Sequence, residues 1–279
     1  MVDDWLTNTR IETEAELLNS FRKNSTDASE APSGFDEQWA KQYADRYANR
    51  ENNEEVVNFL LKYGGSDGTY LDLCCGVGRI AVPLASRGVG VTGVDNAPAM
   101  LEVMTERARS ASVSVAAILQ DCTEVALDET FSLAYVTFNS LFQVGDSAAQ
   151  EAMLTSAARL LEPGGGLVVE AFVPHPPASS TLQGPIATHV SGSRLETTAR
   201  NWVLEEQVLW VQRMIVETPG NVRLRSLRFH YQSPAQLDAL AERAGFERVA
   251  EYTDWSERPL TDDSNNRIAV YRLRSDSPD

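Results

Sequence analysis

The stretch from Tyr70 to Ile80, with the sequence YLDLCCGVGRI, constrains the fold of this chain more than any other. An apolar run that carries one carboxylate leads into a turn with two glycines, and apolar residues then recur with helical periodicity. Glycine lets ligand atoms approach the backbone closely, and a helix start offers unpaired N–H groups. Strand, turn and helix start therefore predict a site for a nucleotide-like ligand.

Strands and helices alternate along the chain from Thr69 to Phe172 at the spacing of βαβ units. This pattern predicts an α/β fold with a Rossmann-like, mostly parallel sheet that helices cover on both faces. Two further strands near residues 248–252 and 268–273 complete a seven-stranded sheet. We expect this pair to form an antiparallel edge of the sheet, with the last strand antiparallel to the others.

The remaining segments differ from this core in composition. Residues 1–35 form a polar N-terminal arm that is either mobile or a lid over the site, and residues 36–173 and 233–279 form the core. Residues 174–232 contain strand-like runs separated by turn signals, which predicts an antiparallel β insertion after strand five. Because open α/β sheets bind ligands at the carboxyl ends of their strands, we expect this insertion to be a cap, a dimer interface, or both.

Composition excludes several classes of function. The chain of 279 residues has a formal net charge of −16, which argues against nucleic-acid partners because phosphate binding requires clustered Lys and Arg. No apolar run has membrane-spanning length and no signal peptide is visible, so a cytoplasmic protein without a membrane partner is expected. The three cysteines, Cys74, Cys75 and Cys122, lack metal-ligand spacing, so we expect no metal site.

The glycine turn alone leaves the ligand ambiguous. Gly76, Gly78 and Ala81 satisfy the dinucleotide fingerprint, and Asp95 lies at a plausible distance beyond them for a ribose, so an NAD-dependent oxidoreductase is one reading. Asp72, inside strand one, suits a cationic group beside the turn better than a pyrophosphate. Asp121 ends strand three, where a carboxylate can accept a hydrogen bond from an exocyclic amine.

Four motifs together resemble those of the class I S-adenosylmethionine-dependent methyltransferases, over about residues 43–274. Residues 71–79 (LDLCCGVGR) resemble the first motif of that family, and residues 91–100 (VTGVDNAPAM) resemble the second. Residues 138–142 (FNSLF) resemble the segment that borders the methyl group, and residues 163–165 (PGG) the turn before strand five. The insertion makes the chain similar in architecture to bacterial small-molecule methyltransferases, such as the sugar N,N-dimethyltransferases of secondary metabolism.

The resemblance implies S-adenosylmethionine as the cofactor and a role for individual residues. Asp95 would hold both ribose hydroxyls, Asp121 would meet the adenine amino group, and Cys122 would offer its backbone beside it. Separately from the resemblance, Trp39, Tyr43 and Tyr47 share one helix face, so either all three pack on the domain or Tyr43 or Tyr47 belongs to the wall of the cofactor or substrate site. The implied cofactor-binding residues are Tyr43, Asp72, Cys74, Gly76, Gly78, Asp95, Asn96, Met100, Asp121, Cys122 and Phe138.

Two residues depart from the family pattern. Cys74 stands where the first motif has its first glycine, so its side chain must point away from the ligand or narrow the pocket. Gln143 stands where relatives often carry His or Tyr, so it cannot supply a base if that position does so in them. With Gln143, His175 after strand five and His230 at the end of the insertion are the candidate catalytic residues.

These patterns predict a methyl transfer from S-adenosylmethionine to N or O of a small metabolite by positioned in-line attack. Two alternatives remain at this point. One is the NAD-dependent oxidoreductase, and the other is a catalytically silent cofactor-binding subunit, which the departures at Cys74 and Gln143 favour. The expected partner is a small-molecule methyl acceptor, and a homodimer is a further alternative.

Overall fold

The structure is a computed structural model that describes residues 37–274. The predictions for the polar N-terminal arm lie outside these residues. The described chain forms two compact units, one of residues 37–176, 205–208 and 228–274, and the other of residues 177–204 and 209–227. No helix within the described range is long and apolar enough to cross a membrane.

The larger unit contains six helices: α1 (Glu37–Tyr47), α2 (Asn53–Gly64), α3 (Ala81–Ser86), α4 (Pro98–Ser110), α5 (Ser147–Leu160) and α6 (Pro234–Arg243). Its strands are β1 (Thr69–Leu73), β2 (Gly90–Asp95), β3 (Ala116–Leu119), β4 (Phe131–Val136), β5 (Leu161–Phe172), β10 (Phe246–Tyr252) and β11 (Asn266–Leu273). Local signals in the sequence mark several of their ends. At α6, for instance, Ser233 and Gln236 form the reciprocal hydrogen bonds of a capping box.

The seven strands of the larger unit form one sheet in the order β10-β11-β5-β4-β1-β2-β3. Strands β1 to β5 pair in parallel, whereas β11 runs antiparallel to both β5 and β10. The prediction of a mostly parallel, seven-stranded sheet with an antiparallel last strand is confirmed. The strand order reverses between β1 and β4, which is the position where open α/β sheets form a ligand crevice.

Alternating side chains of the central strands supply two hydrophobic cores. In β1, Leu71 and Leu73 belong to the core that contains α5 and α6, whereas Tyr70 belongs to the core that contains α2, α3 and α4. Both faces of the sheet are therefore buried, as a parallel sheet requires. Asp72 shares the face of Tyr70 by the two-residue period of a strand, so its carboxylate enters an apolar layer.

The smaller unit consists mainly of an antiparallel sheet in the order β6-β7-β8-β9. These strands are β6 (Thr181–Val190), β7 (Arg194–Val203), β8 (Val208–Glu217) and β9 (Asn221–His230). The two predicted turns lie between β6 and β7 and between β8 and β9. The antiparallel β insertion after strand five is thus confirmed.

Candidate cofactor and active site

The turn after β1 is built from residues in the left-handed backbone region. Cys74, Gly76 and Gly78 have φ values of 59°, 53° and 66°. A Cβ atom on Gly78 would lie 2.5 Å from Cγ of Met104, so packing against α4 requires glycine there. A Cβ atom on Gly76 would meet only Met100 Cε, at 3.3 Å. Gly76 therefore serves the backbone conformation and leaves its surface open to a ligand.

The Cys74 side chain is directed toward the end of β3. Its Sγ lies 3.3 Å from Sγ of Cys122, and the Cys74 N–H donates to the same sulfur at 3.2 Å. This thiol contact, together with burial, raises the pKa of the Cys74 thiol well above its usual value. Both sulfurs therefore belong to the packing beneath the turn. The chain keeps the backbone conformation that the family obtains with glycine, although it carries a side chain there.

Asp95 ends β2 beside the turn and is bonded to it. One carboxylate oxygen accepts from the Gly76 N–H at 2.8 Å, and the other accepts from the Ala97 N–H at 2.9 Å. Burial raises the pKa of Asp95, and the bonds from Ala97, Gly76 and Asn96 oppose that rise. A carboxylate has about four acceptor positions, so Asp95 retains capacity for a further hydrogen bond. Asn96 is exposed, whereas Met100 on α4 is buried below Gly76.

Asp121 and Cys122 follow β3 at the same edge of the sheet. Asp121 is exposed, and its Oδ1 accepts from both the backbone N–H and the hydroxyl of Thr123, each at 2.8 Å. These bonds fix the carboxylate, while its Oδ2 forms no hydrogen bond with the described residues. Cys122 is buried beneath it.

Asp72, the penultimate residue of β1, is a buried carboxylate. It pairs with Tyr135 across β1 and β4 and is 3% exposed. Burial raises the pKa of Asp72 to about 8, against the opposing influence of the Tyr135 hydroxyl and of the Arg79 charge. Asp72 is therefore largely protonated at neutral pH, so its carboxyl group can donate a hydrogen bond as well as accept one.

Arg79, at the end of the glycine turn, is a buried cation that forms no ion pair within residues 37–274. Its guanidinium donates to Asn53 Oδ1 at 2.9 Å and to Thr137 Oγ1 at 3.4 Å. Burial lowers the pKa of Arg79, while the nearby negative charge of Glu170 raises it. The sequence pattern included this residue but did not assign it a role.

Aromatic rings and guanidinium groups surround Phe138, which follows β4. The Arg50 and Arg79 guanidiniums lie 4.8 Å and 5.4 Å from the centre of its ring, and the Tyr47 ring lies 5.7 Å away. Tyr43 packs on Tyr47 with ring centres 4.8 Å apart. Burial raises the pKa of Tyr43 to about 12, so its hydroxyl is neutral. Tyr43 and Phe138, both expected to line the site, thus belong to one cluster.

A pair of hydrogen bonds joins the segment after β4 to the end of β5. The Phe138 N–H donates to the Glu170 carboxylate at 2.7 Å, and the Phe172 N–H donates to Asn139 Oδ1 at 2.6 Å. Phe138 and Asn139 have φ values of 59° and 64°, a strained conformation for phenylalanine. Glu170 thus has a backbone N–H partner, and asparagine tolerates the left-handed conformation that residue 139 adopts.

Phenylalanine rings pack around Phe172, at the end of β5. The Phe172 ring lies 5.2 Å from that of Phe142 and 5.7 Å from that of Phe229, both edge to face. Phe142 and Phe229 are buried, whereas Phe172 is only half-buried. Phe172 therefore presents a phenylalanine surface at the ligand edge of β5, a residue that sequence reasoning did not single out.

The three candidate catalytic residues occupy different environments. His175 is exposed, and its Nε2–H donates to the Ser264 carbonyl at 3.0 Å, which leaves Nδ1 as the basic nitrogen. Gln143 is exposed at the end of a 3₁₀ turn that spans Ser140–Gln143. His230 is half-buried, and burial together with the charge of Arg228 lowers its pKa, so its ring is neutral at neutral pH. The structure describes no group of three metal-ligating side chains in residues 37–274.

The carboxyl ends of β1, β2, β3, β4 and β5 thus bring the glycine turn, two carboxylates and an aromatic cluster to one edge of the sheet. This site belongs to the class of crevices that bind a nucleoside-containing ligand at the point where the strand order reverses. Residues 71–165 match the family model of a methyltransferase domain.

The structure and sequence are similar to those of known methyltransferases. The chain superposes on the CcbJ methyltransferase from Streptomyces caelestis with a TM-score of 0.77 and 27% identity, over 86% of this chain and 100% of that one. A cypemycin N-terminal methyltransferase from a Streptomyces species is 27% identical over 51% of this chain and 58% of its own length. A ubiquinone biosynthesis O-methyltransferase from Xanthomonas oryzae pv. oryzae is 34% identical over 35% of this chain and 40% of its own length.

The chain therefore spans less than two thirds of the curated relatives that it matches. The matching domain, the strand order and the similar structures agree in placing a methyltransferase domain at residues 71–165. This match indicates S-adenosylmethionine as the cofactor.

Proposed function

We propose that this protein transfers a methyl group from S-adenosylmethionine to a nitrogen or oxygen atom of a small metabolite, by in-line attack of a positioned acceptor. When bound, the cofactor supplies a methyl group on a positively charged sulfur. The protein then has to bind that cofactor, align the acceptor and exclude water.

The observation that carries the proposal is the arrangement of Asp95 against the glycine turn. Backbone N–H groups of the turn and of the residues after β2 hold its two oxygens, and the carboxylate retains acceptor capacity beyond these bonds. Two adjacent acceptors match the two neighbouring hydroxyls of a ribose. A second match comes from Asp121, where the free Oδ2 is suited to an exocyclic amine. The residues present therefore fit an adenosyl ligand.

The aromatic and cationic cluster suits the other half of the cofactor. Arg79 and the exposed Arg50 lie over Phe138 without a carboxylate partner among the described residues. Their charge would attract the carboxylate of the methionine moiety and would keep it apart from the sulfonium. Tyr43, with a neutral hydroxyl, would line the same region.

The segment after β4 and the end of β5 would align the acceptor. Hydrogen bonds to Glu170 and Asn139 fix the backbone at Phe138 and Phe172, so both rings have a defined position. Packed phenylalanine rings also exclude water, which would otherwise compete as a nucleophile. Alignment and exclusion of water by fixed rings can supply much of the rate enhancement of a reaction whose reactive group belongs to the cofactor.

The acceptor atom determines whether a base is needed. A neutral amine can attack first and release its proton to solvent afterwards, whereas a hydroxyl group benefits from a base. The basic Nδ1 of His175 would fill that role for a hydroxyl acceptor. The relatives are named for both chemistries, an N-terminal amine in one and an O-methylation in the other.

Calorimetry with S-adenosylhomocysteine tests cofactor binding directly. We expect the wild-type protein to bind this product and not NAD, and absence of binding would contradict the proposal. Asp95→Asn retains one acceptor oxygen and the shape of the side chain, but removes the charge that two hydroxyl donors would meet. Because hydrogen bonds to a charged group contribute about 1.5–3 kcal/mol, its affinity should fall by about ten- to a hundredfold.

Asp128→Asn is the matched control, because it removes an equal charge from an exposed loop position outside the site. Its affinity for S-adenosylhomocysteine should equal that of the wild type. An equal loss in both variants would mean that overall charge, rather than contact with the ribose, controls binding. Methyl transfer from radiolabelled S-adenosylmethionine to a panel of small amines and hydroxyl compounds tests the reaction itself, and tight cofactor binding without turnover across that panel would favour a silent subunit.

A further inference from the structure

The sheet of β6 to β9 carries apolar side chains on its exposed face and charged side chains on the other, the reverse of an ordinary half-exposed sheet. One face carries a charged network in which Arg194 bridges Glu196 and Glu217, and Arg223 also binds Glu217. Glu196 in this network is 2% exposed. The solvent-exposed face, in contrast, carries Val190, Val222 and Leu224, which are 71%, 62% and 62% exposed. Antiparallel sheets normally place polar side chains toward water.

The register of the sheet shows that these apolar residues are neighbours. Val190 pairs with Leu195 across β6 and β7, and Ala187 pairs with Thr197. The Thr218 N–H donates to the Ser193 carbonyl, which by the two-residue period places Leu195 opposite Val216 on β8.

The same reasoning extends the register to β9. The Gln212 side chain donates to the Ser226 hydroxyl, which places Met214 opposite Leu224 and Val216 opposite Val222. Two rows therefore cross all four strands on the exposed face. They consist of Val190, Leu195, Val216 and Val222, and of Ala187, Thr197, Met214 and Leu224.

No ionisable residue occurs in these two rows or in the next positions on β7, β8 and β9, which are Ala199, Gln212 and Ser226. The whole chain has a net charge of −16. Two copies of such an acidic chain repel each other at most surfaces, but this face lets them approach without opposing carboxylates. A second copy of the same face is uncharged and apolar as well, so the surface is complementary to itself, as a two-fold interface requires.

The size of this face is adequate for a dimer. Four strands of ten residues, at about 3.4 Å per residue and about 4.8 Å between strands, give a face of roughly 600 Å². A stable interface of standard size buries about 800 Å² from each partner. Side chains that project from the sheet, together with the loops at its ends, would supply the remaining buried area.

We propose that the exposed face of β6 to β9 is the interface between two copies of this chain, packed sheet against sheet. Packing would bury the two apolar rows and leave the charged network on the opposite face unchanged. The side chains of Val222 and Leu224, on the edge strand β9, would be buried within the contact. This inference does not depend on the methyl transfer proposed above.

Sedimentation velocity of the full chain at micromolar concentrations tests the proposal. The wild type should sediment with twice the mass of one chain, and a monomeric wild type would overturn the proposal. Leu224→Glu places a carboxylate where it would be desolvated at the interface, against the acidic surface of a second copy. It should weaken dimerisation by at least about a hundredfold, because like charges in an interface cost several kcal/mol.

Val249→Glu is the matched control, since Val249 is an exposed apolar residue on β10 in the other sheet. It should leave the dimer intact. Val222→Thr keeps both the shape and the strand propensity of the side chain, so it should fold even if the charged variant does not. It should weaken the dimer to a smaller extent than Leu224→Glu. A dimer that survives in folded Leu224→Glu, or that is lost equally in Val249→Glu, would show that the interface lies elsewhere. S-adenosylhomocysteine affinity should be the same in all variants, which separates this result from a failure of the proposed function.

Discussion

Replacement of Cys74 tests whether the backbone conformation of the glycine turn controls its stability. Cys74 has a φ of 59°, a region that costs a residue with a Cβ atom about 1–2 kcal/mol and costs glycine almost nothing. Cys74→Ala removes the sulfur and keeps this strain. Cys74→Gly removes both the sulfur and the strain, so the difference between the two variants isolates the backbone term.

At this position glycine is expected to give a more stable protein than alanine, the opposite of its effect in regular structure. Glycine lowers stability relative to alanine by about 0.5–1 kcal/mol in regular structure, because its unfolded chain has more freedom. Subtracting this from the strain relieved leaves Cys74→Gly more stable than Cys74→Ala by about 0.5–1 kcal/mol. Both variants lose the 3.3 Å contact with Cys122, so that loss cancels in the comparison.

Urea unfolding followed by circular dichroism measures this difference. Ala158→Gly in α5 is the control, since it lies inside a regular helix and should lose about 1 kcal/mol. If Cys74→Ala is the more stable of the two Cys74 variants, then the left-handed conformation does not limit this turn. The explanation given for the family preference for glycine would then be wrong.

Three further predictions concern buried polar groups. Burial raises the pKa of Asp72 to about 8, so the folded state retains a proton that the unfolded chain releases. The free energy of unfolding of the wild type, relative to that of Asp72→Asn, should therefore fall between about pH 4 and about pH 8 in urea unfolding. A difference that is independent of pH would contradict this. Asn139→Gly keeps the backbone conformation but leaves the Phe172 N–H without its acceptor. This should cost about 1–3 kcal/mol by the same assay and raise KM or lower kcat. Unchanged stability and kinetics would show that this hydrogen bond does not position Phe172. Arg267→Met removes a buried guanidinium that binds Asp238 and Glu251, two half-buried carboxylates that Arg248 also binds, and it should cost about 1–3 kcal/mol in thermal unfolding. Arg109→Met, in an exposed pair, should cost at most about 1 kcal/mol, and equal losses would contradict the role of burial.

The general fold could be predicted from the sequence because its signals are local and repeated. Alternation of apolar strands with periodic helices indicates a parallel sheet, and this pattern was sufficient to expect seven strands and the antiparallel insertion. Element ends were less certain where the backbone leaves regular structure. Strand β4, for instance, ends at Val136, because Phe138 and Asn139 soon after it adopt left-handed conformations that a strand does not allow.

Part of the candidate site could also be predicted, namely the residues that follow strands in recognisable motifs. Asp95 and Asp121 could be assigned to the ligand-binding edge of the sheet, because the carboxyl ends of parallel strands meet there. Asp72 illustrates the limit, since a carboxylate within a strand can point to either the ligand or the core. Burial against Tyr135, which depends on the pairing of β1 with β4, directs it into the core.

The sequence by itself determined the class of fold, the glycine turn and the identity of the carboxylates at its edge, since each depends on residues close together in the chain. Only the tertiary structure decided which distant residues meet. It brought Asn139 to the Phe172 backbone, stacked Arg50 and Arg79 on Phe138, and aligned apolar side chains of four strands on one open face. Such contacts depend on strand register and on chain segments far apart in sequence, and a one-residue change of register would turn the same side chains to the opposite face.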